Sequence, residues 1–249
     1  MLALLVALAV LPPPAPLEVL GWLAHPEIRE ASGIVRSRSH PGIFWVHNDS
    51  GNPPALFAVR RDGTLAGEFR VAIPNIDWED IAADDRGQLY LGEIGNNGGR
   101  LPLRAIYRLD EPDPARLDAA PLAVTGASYY RFGPDGRFDA EALVVRGDRA
   151  LVISKRLDGR EAEVFAIPLD PPAPLLRPAL PQRLGTLPGF TEAVTGADLS
   201  ADGGLLAACS YGVARVYAVA GDTAWRPVGT VPFSTRDGIE AIAWDGMDL

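Results

Sequence analysis

The sequence contains few residues of several types, and their scarcity excludes some classes of function. Cys209 is the only cysteine among 249 residues, so no disulfide can form within the chain. Basic residues are scarce, since 23 Lys and Arg stand against 32 Asp and Glu for a formal net charge of -9. Binding to a nucleic-acid duplex requires a basic surface that neutralises phosphates, and this balance argues against such a partner.

The hydrophobic pattern contains no amphipathic helix of useful length. Glycine (26) and proline (23) are abundant instead, and this composition favours many short strands joined by tight turns. Cys209 itself ends the apolar run 205–209, which predicts a buried strand and no reactive thiol.

The N-terminus opens on an apolar run, Leu2 to Leu11, that is followed by three prolines. This run has the length of a signal-peptide core and is too short to span a bilayer. We predict that residues 1–16 are a signal peptide or an apolar N-terminal segment and that residues 17–249 form one domain. The expected location is secreted or periplasmic, with anchoring by an uncleaved N-terminal segment as the alternative. We expect a monomer with no membrane span in the mature protein.

A four-part unit recurs along the chain, and its first part is a short apolar strand. This inner strand is predicted at 32–35, 79–82, 141–144, 197–200 and 240–243. A turn rich in Gly and Asp then leads to a second apolar strand, at 43–46, 88–91, 150–153 and 205–209. Turns of this kind between two short apolar runs indicate hairpins.

The third and fourth parts complete the unit. The third strand has an aromatic residue in its second place each time, at Phe57, Tyr107, Phe165 and Tyr217. A weaker outer strand follows at 65–71, 124–132, 182–187 and 227–232. Four strands per unit at this spacing predict an all-β fold, a β-propeller of five four-stranded blades. Six blades are one alternative, and a sandwich or open barrel is another.

The two ends of the chain bear on how the propeller closes. Leu17 to Leu23 resembles an extra strand, while the fifth unit stops at Asp248-Leu249 inside its second strand. We therefore expect an incomplete last blade, closed by the N-terminal strand.

Strand reversal predicts where the polar residues meet. In an antiparallel blade, the start of the first strand and the end of the second strand lie at the same end. Polar side chains at these two places should therefore surround one mouth of the central channel. Those at the inner-strand starts are Asp77, Glu79, Asp139, Glu141 and Glu240, and those after the second strands are His47, Asn48, Asp49, Glu93, Asn96, Asn97, Lys155 and Tyr211.

Three of these carboxylates, Glu79, Glu141 and Glu240, recur at an equivalent position in three of the five units. Carboxylates crowded in a narrow space must be protonated, paired or bound to a cation. Oxygen ligands without clustered Cys or His suit a hard ion, Ca²⁺ above Mg²⁺. The alternative is that each carboxylate binds backbone N–H groups or a basic side chain such as Lys155.

His47 is the only histidine that falls within the predicted mouth. It is a candidate general base near neutral pH, with Asp49 or Glu93 orienting its ring. The alternative is a turn histidine bonded to the backbone. We assign Asp77, Asp139, Asn97, Lys155 and Tyr211 as candidate ligand-binding residues around this site.

Six short motifs carry a resemblance to a family of bacterial exported propeller proteins. They are Ser-Gly-Ile-Val (32–35), His-Asn-Asp-Ser-Gly (47–51), Asp-Trp-Glu-Asp-Ile-Ala (77–82), Ile-Gly-Asn-Asn (94–97), Asp-Ala-Glu-Ala-Leu (139–143) and Glu-Ala-Ile-Ala (240–243). More remotely, the chain is similar to phytase-like esterases and to propeller lactonases related to gluconolactonase and paraoxonase. These families hold Ca²⁺ in the channel. The resemblance implies that Glu79, Glu141, Glu240, Asn48 and Asn96 are metal ligands.

Two function classes follow from these observations. One is an exported propeller whose Ca²⁺ site assists hydrolysis of esters, lactones or phosphoesters. The other is a non-catalytic propeller that binds a small-molecule or protein ligand at its mouth.

Overall fold

A computed structural model describes residues 18–116, 120–132, 138–221, 223–233 and 238–246. The predicted signal peptide, Leu17 and the final residues Asp248-Leu249 lie outside these ranges. Within them the chain forms sixteen β-strands and no helix, and so no helix capable of crossing a bilayer.

The strands form four antiparallel sheets, each of four consecutive strands in chain order. We call these sheets blades 1 to 4. Their strands are β1 Ala31–Arg36, β2 Ile43–Asn48, β3 Ala55–Arg60 and β4 Leu65–Arg70; β5 Trp78–Ala83, β6 Gln88–Glu93, β7 Arg104–Asp110 and β8 Val124–Tyr130; β9 Ala140–Arg146, β10 Arg149–Ser154, β11 Glu163–Pro168 and β12 Gln182–Thr186; and β13 Val194–Leu199, β14 Leu205–Ser210, β15 Val213–Val219 and β16 Trp225–Pro232.

Local sequence accounts for the hairpins. The turns between the first and second strands contain glycines with a positive φ, such as Gly87 (75°) and Gly147 (62°). Other residues adopt this conformation at a cost, so glycine sets the tight reversal between two short strands. The predicted inner, second, third and outer strands of the first four units are confirmed within a few residues at each end.

The blades are arranged as a β-propeller around their inner strands. Strand β1 packs beside β5, β5 beside β9, and β9 beside β13. The hydrophobic core lies in the layers between neighbouring blades, and Trp45 and Trp78 are fully buried in the layer that joins blades 1 and 2. Cys209 is buried in β14, as predicted.

The prediction of five or six blades is wrong for the described residues, which form four four-stranded blades. The predicted fifth inner strand at 240–243 is not a strand. Its segment, 238–246, instead bridges blades 4 and 1. The Trp244 N–H donates to Asp198 Oδ2 at 2.9 Å, and Ala243 packs against the core cluster of blade 1. These contacts fill the gap in the ring without a fifth inner strand.

The predicted closure by the N-terminal strand is also not seen. Residues 18–23 form no strand and lie against the turn between β3 and β4 of blade 1, where Gly21 meets Asp62 and Gly63 meets Trp22. The segment therefore packs on the wrong blade to act as an outer strand of the last one.

Candidate functional site

The inner strand of every blade is interrupted by a β-bulge near its start. The register with the second strand shifts at one residue in each blade, and the skipped residues are Ser32, Glu79, Glu141 and Thr195. A bulge bends the strand and changes the direction of a side chain. All four bulges lie at the end of the propeller where the inner strands start, which we call the mouth.

The bulges change which residue of blade 4 corresponds to Glu79 of blade 2. The sequence places Ala197 of blade 4 at the position of Glu79, but Ala197 is paired regularly with Ala208. Thr195, two residues earlier, is the bulged residue. Its hydroxyl donates to the Ile239 carbonyl at 2.7 Å, and so this polar position in blade 4 contacts the segment that closes the ring.

Three carboxylates meet at the mouth: Asp49 after β2, Asp77 before β5, and Glu79 at the β5 bulge. One oxygen from each lies within 4.8 Å of the others, a spacing at which a metal ion could be held. We call these three residues the acidic cluster. A Cβ atom at Gly95 would collide with Glu79 Oε1 and with the Asp77 carboxyl. Any larger residue at this position would displace the carboxylates of Glu79 and Asp77.

Two loops hold the cluster in place through backbone contacts. Asn75 donates its side-chain N–H groups to the carbonyls of Asn48 (3.1 Å) and Asp49 (2.8 Å), which joins the loop after β2 to the loop before β5. The Glu93 carboxylate accepts the backbone N–H groups of Ile76 (3.2 Å) and Asp77 (2.6 Å). Both oxygens of Glu93 are occupied in this way. Glu93, which the sequence suggested as a residue that orients His47, instead holds the loop before β5.

Glu79 is the most strongly perturbed carboxyl group of the cluster. Its side chain is buried, and Oε1 has no hydrogen-bond partner among the described residues. Burial, followed by the charges of Glu141 and Asp49, raises the pKa of Glu79 to about 10. Burial and the charge of Asp49 also raise the pKa of Asp77. A buried carboxylate without a donor must hold a proton or a cation.

Glu141 and Lys155 form an ion pair beside the cluster. The ammonium donates directly to Glu141 Oε1, and both side chains are largely buried. Burial raises the pKa of Glu141, and the hydrogen bond from Lys155 counteracts part of this increase. The Lys155 ammonium also lies 5.6 Å from the centre of the Tyr211 ring, so blades 3 and 4 are linked at the mouth. The predicted alternative of internal pairing therefore describes Glu141.

Glu240 is exposed at the mouth in the closing segment 238–246. Its carboxylate still loses part of its hydration to the neighbouring chain, and this partial desolvation raises the pKa of Glu240. The charge of Lys155 lowers this pKa, and the charge of Asp49 raises it further. The third recurring carboxylate is thus within electrostatic reach of both the ion pair and the cluster.

His47 is enclosed by its neighbours. The ring is fully buried, stands edge-on to Trp78 with centroids 5.7 Å apart, and shares a hydrogen bond of 3.0 Å between Nδ1 and the Asn48 carbonyl. Gly33 leaves room for Nε2, which a Cβ atom there would strike. Burial lowers the pKa of His47. The ring is bonded to backbone, as in the alternative to a general base, although His47 lies in strand β2 and not in a turn.

The remaining predicted site residues organise loops. Asn48 accepts the N–H groups of Arg29 (2.9 Å) and Glu30 (3.2 Å) through its side-chain oxygen. The Asn96 side-chain oxygen accepts the Leu101 N–H at 2.8 Å. Asp139 accepts the Asn96 N–H at 2.7 Å. Asn97 is exposed on the same loop.

Sequence reasoning missed two buried aspartates deeper in the channel. Asp80 Oδ2 accepts the N–H of Leu143 in blade 3 (2.8 Å) and of Ala197 in blade 4 (3.3 Å), while Asp198 binds the closing segment through Trp244. Burial raises the pKa of Asp80 well above its usual range. Asp80 thereby satisfies N–H groups on the free edges of two inner strands, and Asp198 satisfies one in the closing segment. The sequence carries no separate signal for this role, because the bulge that precedes Asp80 is seen only in the structure.

A buried cation was also missed. Arg104, at the start of β7, donates to the Phe138 carbonyl and lies 5.4 Å from the centre of the Phe132 ring. Burial lowers the pKa of Arg104, and the negative charges of Asp139 and Asp77 counteract part of this decrease. Its positive charge partly offsets the acidic groups under the mouth.

Comparisons with known proteins find similarity in structure only. No protein-family model matches the sequence, and no curated protein matches it either. Among solved structures, Kuenenia stuttgartiensis hydrazine synthase is 14% identical with a TM-score of 0.44 over 82% of this chain and 49% of its own. A chain of the mitotic checkpoint complex is 15% identical with a TM-score of 0.46 over 98% of this chain and 65% of its own. The Cps50 (Swd1) β-propeller domain of Myceliophteria thermophila is 12% identical with a TM-score of 0.45 over 81% of this chain and 71% of its own.

This chain thus spans about half of the first structure and slightly less than two thirds of the second. At these identities and TM-scores the comparisons assign no activity, substrate or partner to the chain.

Proposed function

We propose that this protein is a divalent-cation-binding β-propeller whose mouth holds Ca²⁺ on Asp49, Asp77 and Glu79 and presents it to an oxygen-bearing ligand. The observation that carries the proposal is Glu79 Oε1, which is buried without a hydrogen-bond partner among the described residues, on a side chain that lies in reach of two further carboxylates. A bound cation would coordinate this oxygen and offset the repulsion among the three carboxylates.

The chemistry of the donors favours calcium. The cluster offers only carboxylate oxygens, and His47, the nearest histidine in sequence, is enclosed and bonded to backbone. Hard oxygen ligands in a flexible arrangement suit Ca²⁺ better than transition metals. Of the predicted ligands, Glu79 stays in this set, while the side-chain oxygens of Asn48 and Asn96 already accept backbone N–H groups. Asp49 and Asp77 take their place.

The location of the protein enters the same proposal. Export, predicted from residues 1–16, would expose the protein to compartments where weak calcium sites are filled. The remote likeness to calcium-dependent esterase and lactonase propellers points to the same use of the mouth.

Metal-assisted hydrolysis of an ester, lactone or phosphoester is the second candidate function. It is favoured by the Lys155–Glu141 pair, which places a positive charge beside the cluster where a developing oxyanion could be stabilised. In this scheme a carboxylate handles the proton, because the His47 ring is fully buried.

Calcium titration of the chelated protein tests the cation site. We expect Ca²⁺ to raise the melting temperature of the wild type and to leave Glu79→Gln unchanged. Asp85→Asn is the matched control, since Asp85 is an exposed acid in the turn between β5 and β6 at the opposite end of the propeller. A wild type that shows no calcium response would refute the proposal.

The two functions are then separated by an assay of lactones, aryl esters and phosphomonoesters with calcium-loaded protein. Turnover that is lost in Glu79→Gln supports the hydrolase. Calcium binding with turnover at the level of buffer supports the non-catalytic propeller, in which the cation serves ligand binding alone.

A further inference from the structure

Three loops at the mouth each expose a large apolar side chain. Ile76 precedes β5, Leu157 follows β10, and Tyr211 follows β14, and their exposed fractions are 55%, 85% and 44%. The three loops belong to blades 2, 3 and 4 and lie at the end of the propeller that carries the acidic cluster. We call these three residues the apolar rim.

The loops that carry the rim are held by polar contacts. Ile76 lies on the loop whose N–H groups Glu93 binds. Leu157 lies between Arg156 and Asp158, which form an ion pair at 2.5 Å, and Arg156 reaches Glu163 at 2.8 Å. Because these loops are anchored, their apolar side chains stay exposed to solvent.

Tyr211 is fixed in a similar way. Its ring packs on Gly238, where a Cβ atom would approach the ring Cδ1 at 2.9 Å, and the Lys155 ammonium lies near its face. Because Lys155 also binds Glu141 directly, Tyr211 borders the polar residues of the mouth.

We infer that the ligand of the mouth is an amphipathic small molecule, with an oxygen-bearing head at the cation and an apolar chain or ring against Ile76, Leu157 and Tyr211. This inference rests on the proposed cation site. A purely polar ligand would use the cluster and leave the rim in water, whereas an amphipathic ligand removes the exposed apolar surface of both partners from solvent.

A series of linear carboxylates tests the inference: acetate, butanoate, hexanoate and octanoate, each titrated calorimetrically into protein saturated with calcium. We expect the dissociation constant to fall about two- to fourfold for each added methylene that reaches the rim. Leu157→Ser should flatten this dependence. Leu176→Ser is the matched control, because Leu176 is 92% exposed on the connection between β11 and β12 and lies outside the rim.

Calcium binding without carboxylate is measured first in every protein. If wild type binds calcium but its affinity for the carboxylates does not depend on chain length, the inference is overturned and the cation site stands. If Leu157→Ser and Leu176→Ser flatten the dependence equally, the rim is not where the chain binds, and the inference is again overturned. If wild type binds no calcium, the proposed function fails and the inference falls with it.

Discussion

Replacing Glu79 with Gln should make the calcium-free protein more stable while removing its response to calcium. In the folded protein the pKa of Glu79 is raised from 4.5 to about 10, chiefly by burial. The folded state therefore binds the proton more tightly than the unfolded state, and the stability from this group falls as pH rises from 4.5 through 10. At about pH 7.5, three pH units at 1.36 kcal/mol each give a protonation cost of about 4 kcal/mol.

Gln has the shape of the protonated acid and carries no such cost. Glu79→Gln should therefore gain up to about 4 kcal/mol in the free energy of unfolding in chelator, about 10 °C in melting temperature for a domain of this size. Calcium at a hundred times its dissociation constant would add about 2.7 kcal/mol to the wild type and nothing to the variant.

Equilibrium urea unfolding at about pH 7.5, with chelator and then with calcium, measures both effects. Asp85→Asn should follow the wild type in both conditions. The reasoning is refuted if Glu79→Gln is less stable than wild type in chelator and still gains stability from calcium, because Glu79 would then be an ionised structural acceptor.

Three further perturbations test the site and its support. Gly95→Ala places a methyl group against Glu79 and Asp77, so calorimetry should show calcium affinity lowered by about tenfold or more; unchanged affinity would mean that the cluster does not bind the ion. Lys155→Met leaves Glu141 buried without its partner and should cost about 3 kcal/mol in urea unfolding at neutral pH, which adding Glu141→Gln should largely restore; a neutral single variant would contradict the pairing. Asp198→Asn should flatten the pH dependence of stability, because burial raises the pKa of Asp198 from 3.8 to about 6 and the wild type therefore loses about 3 kcal/mol as pH rises across that range. Parallel pH profiles for variant and wild type would show that Asp198 does not titrate there.

The repeat and the meeting of polar residues at one mouth could be predicted because both follow from local pattern. Alternating apolar runs and glycine turns define hairpins, and strand reversal then determines which ends lie together. The separate roles of the polar residues could not be predicted in this way. Glu93 and Asn48 each accept two backbone N–H groups. Asp49 accepts the N–H of Ser50 and also places a carboxylate oxygen close to Asp77 and Glu79.

The number of blades shows the same limit. A motif such as Glu240 to Ala243 has the pattern of an inner strand, but a strand forms only where a neighbouring strand accepts its hydrogen bonds. In the described residues the two positions that flank this motif bond to side chains instead: the Trp244 N–H donates to Asp198, and the Ile239 carbonyl accepts from the Thr195 hydroxyl.

Sequence by itself determined the all-β architecture, the order of the first sixteen strands and the end of the propeller where carboxylates gather, because these depend on neighbours along the chain. Tertiary structure alone decided that Glu79 is an unpaired buried acid while Glu141 is paired with Lys155. It also decided that Gly95 leaves room for two carboxylates and that His47 is enclosed. The physical reason is that burial and hydrogen-bond partners at the mouth are supplied by loops and blades far apart in sequence, and the state of each ionisable group depends on both.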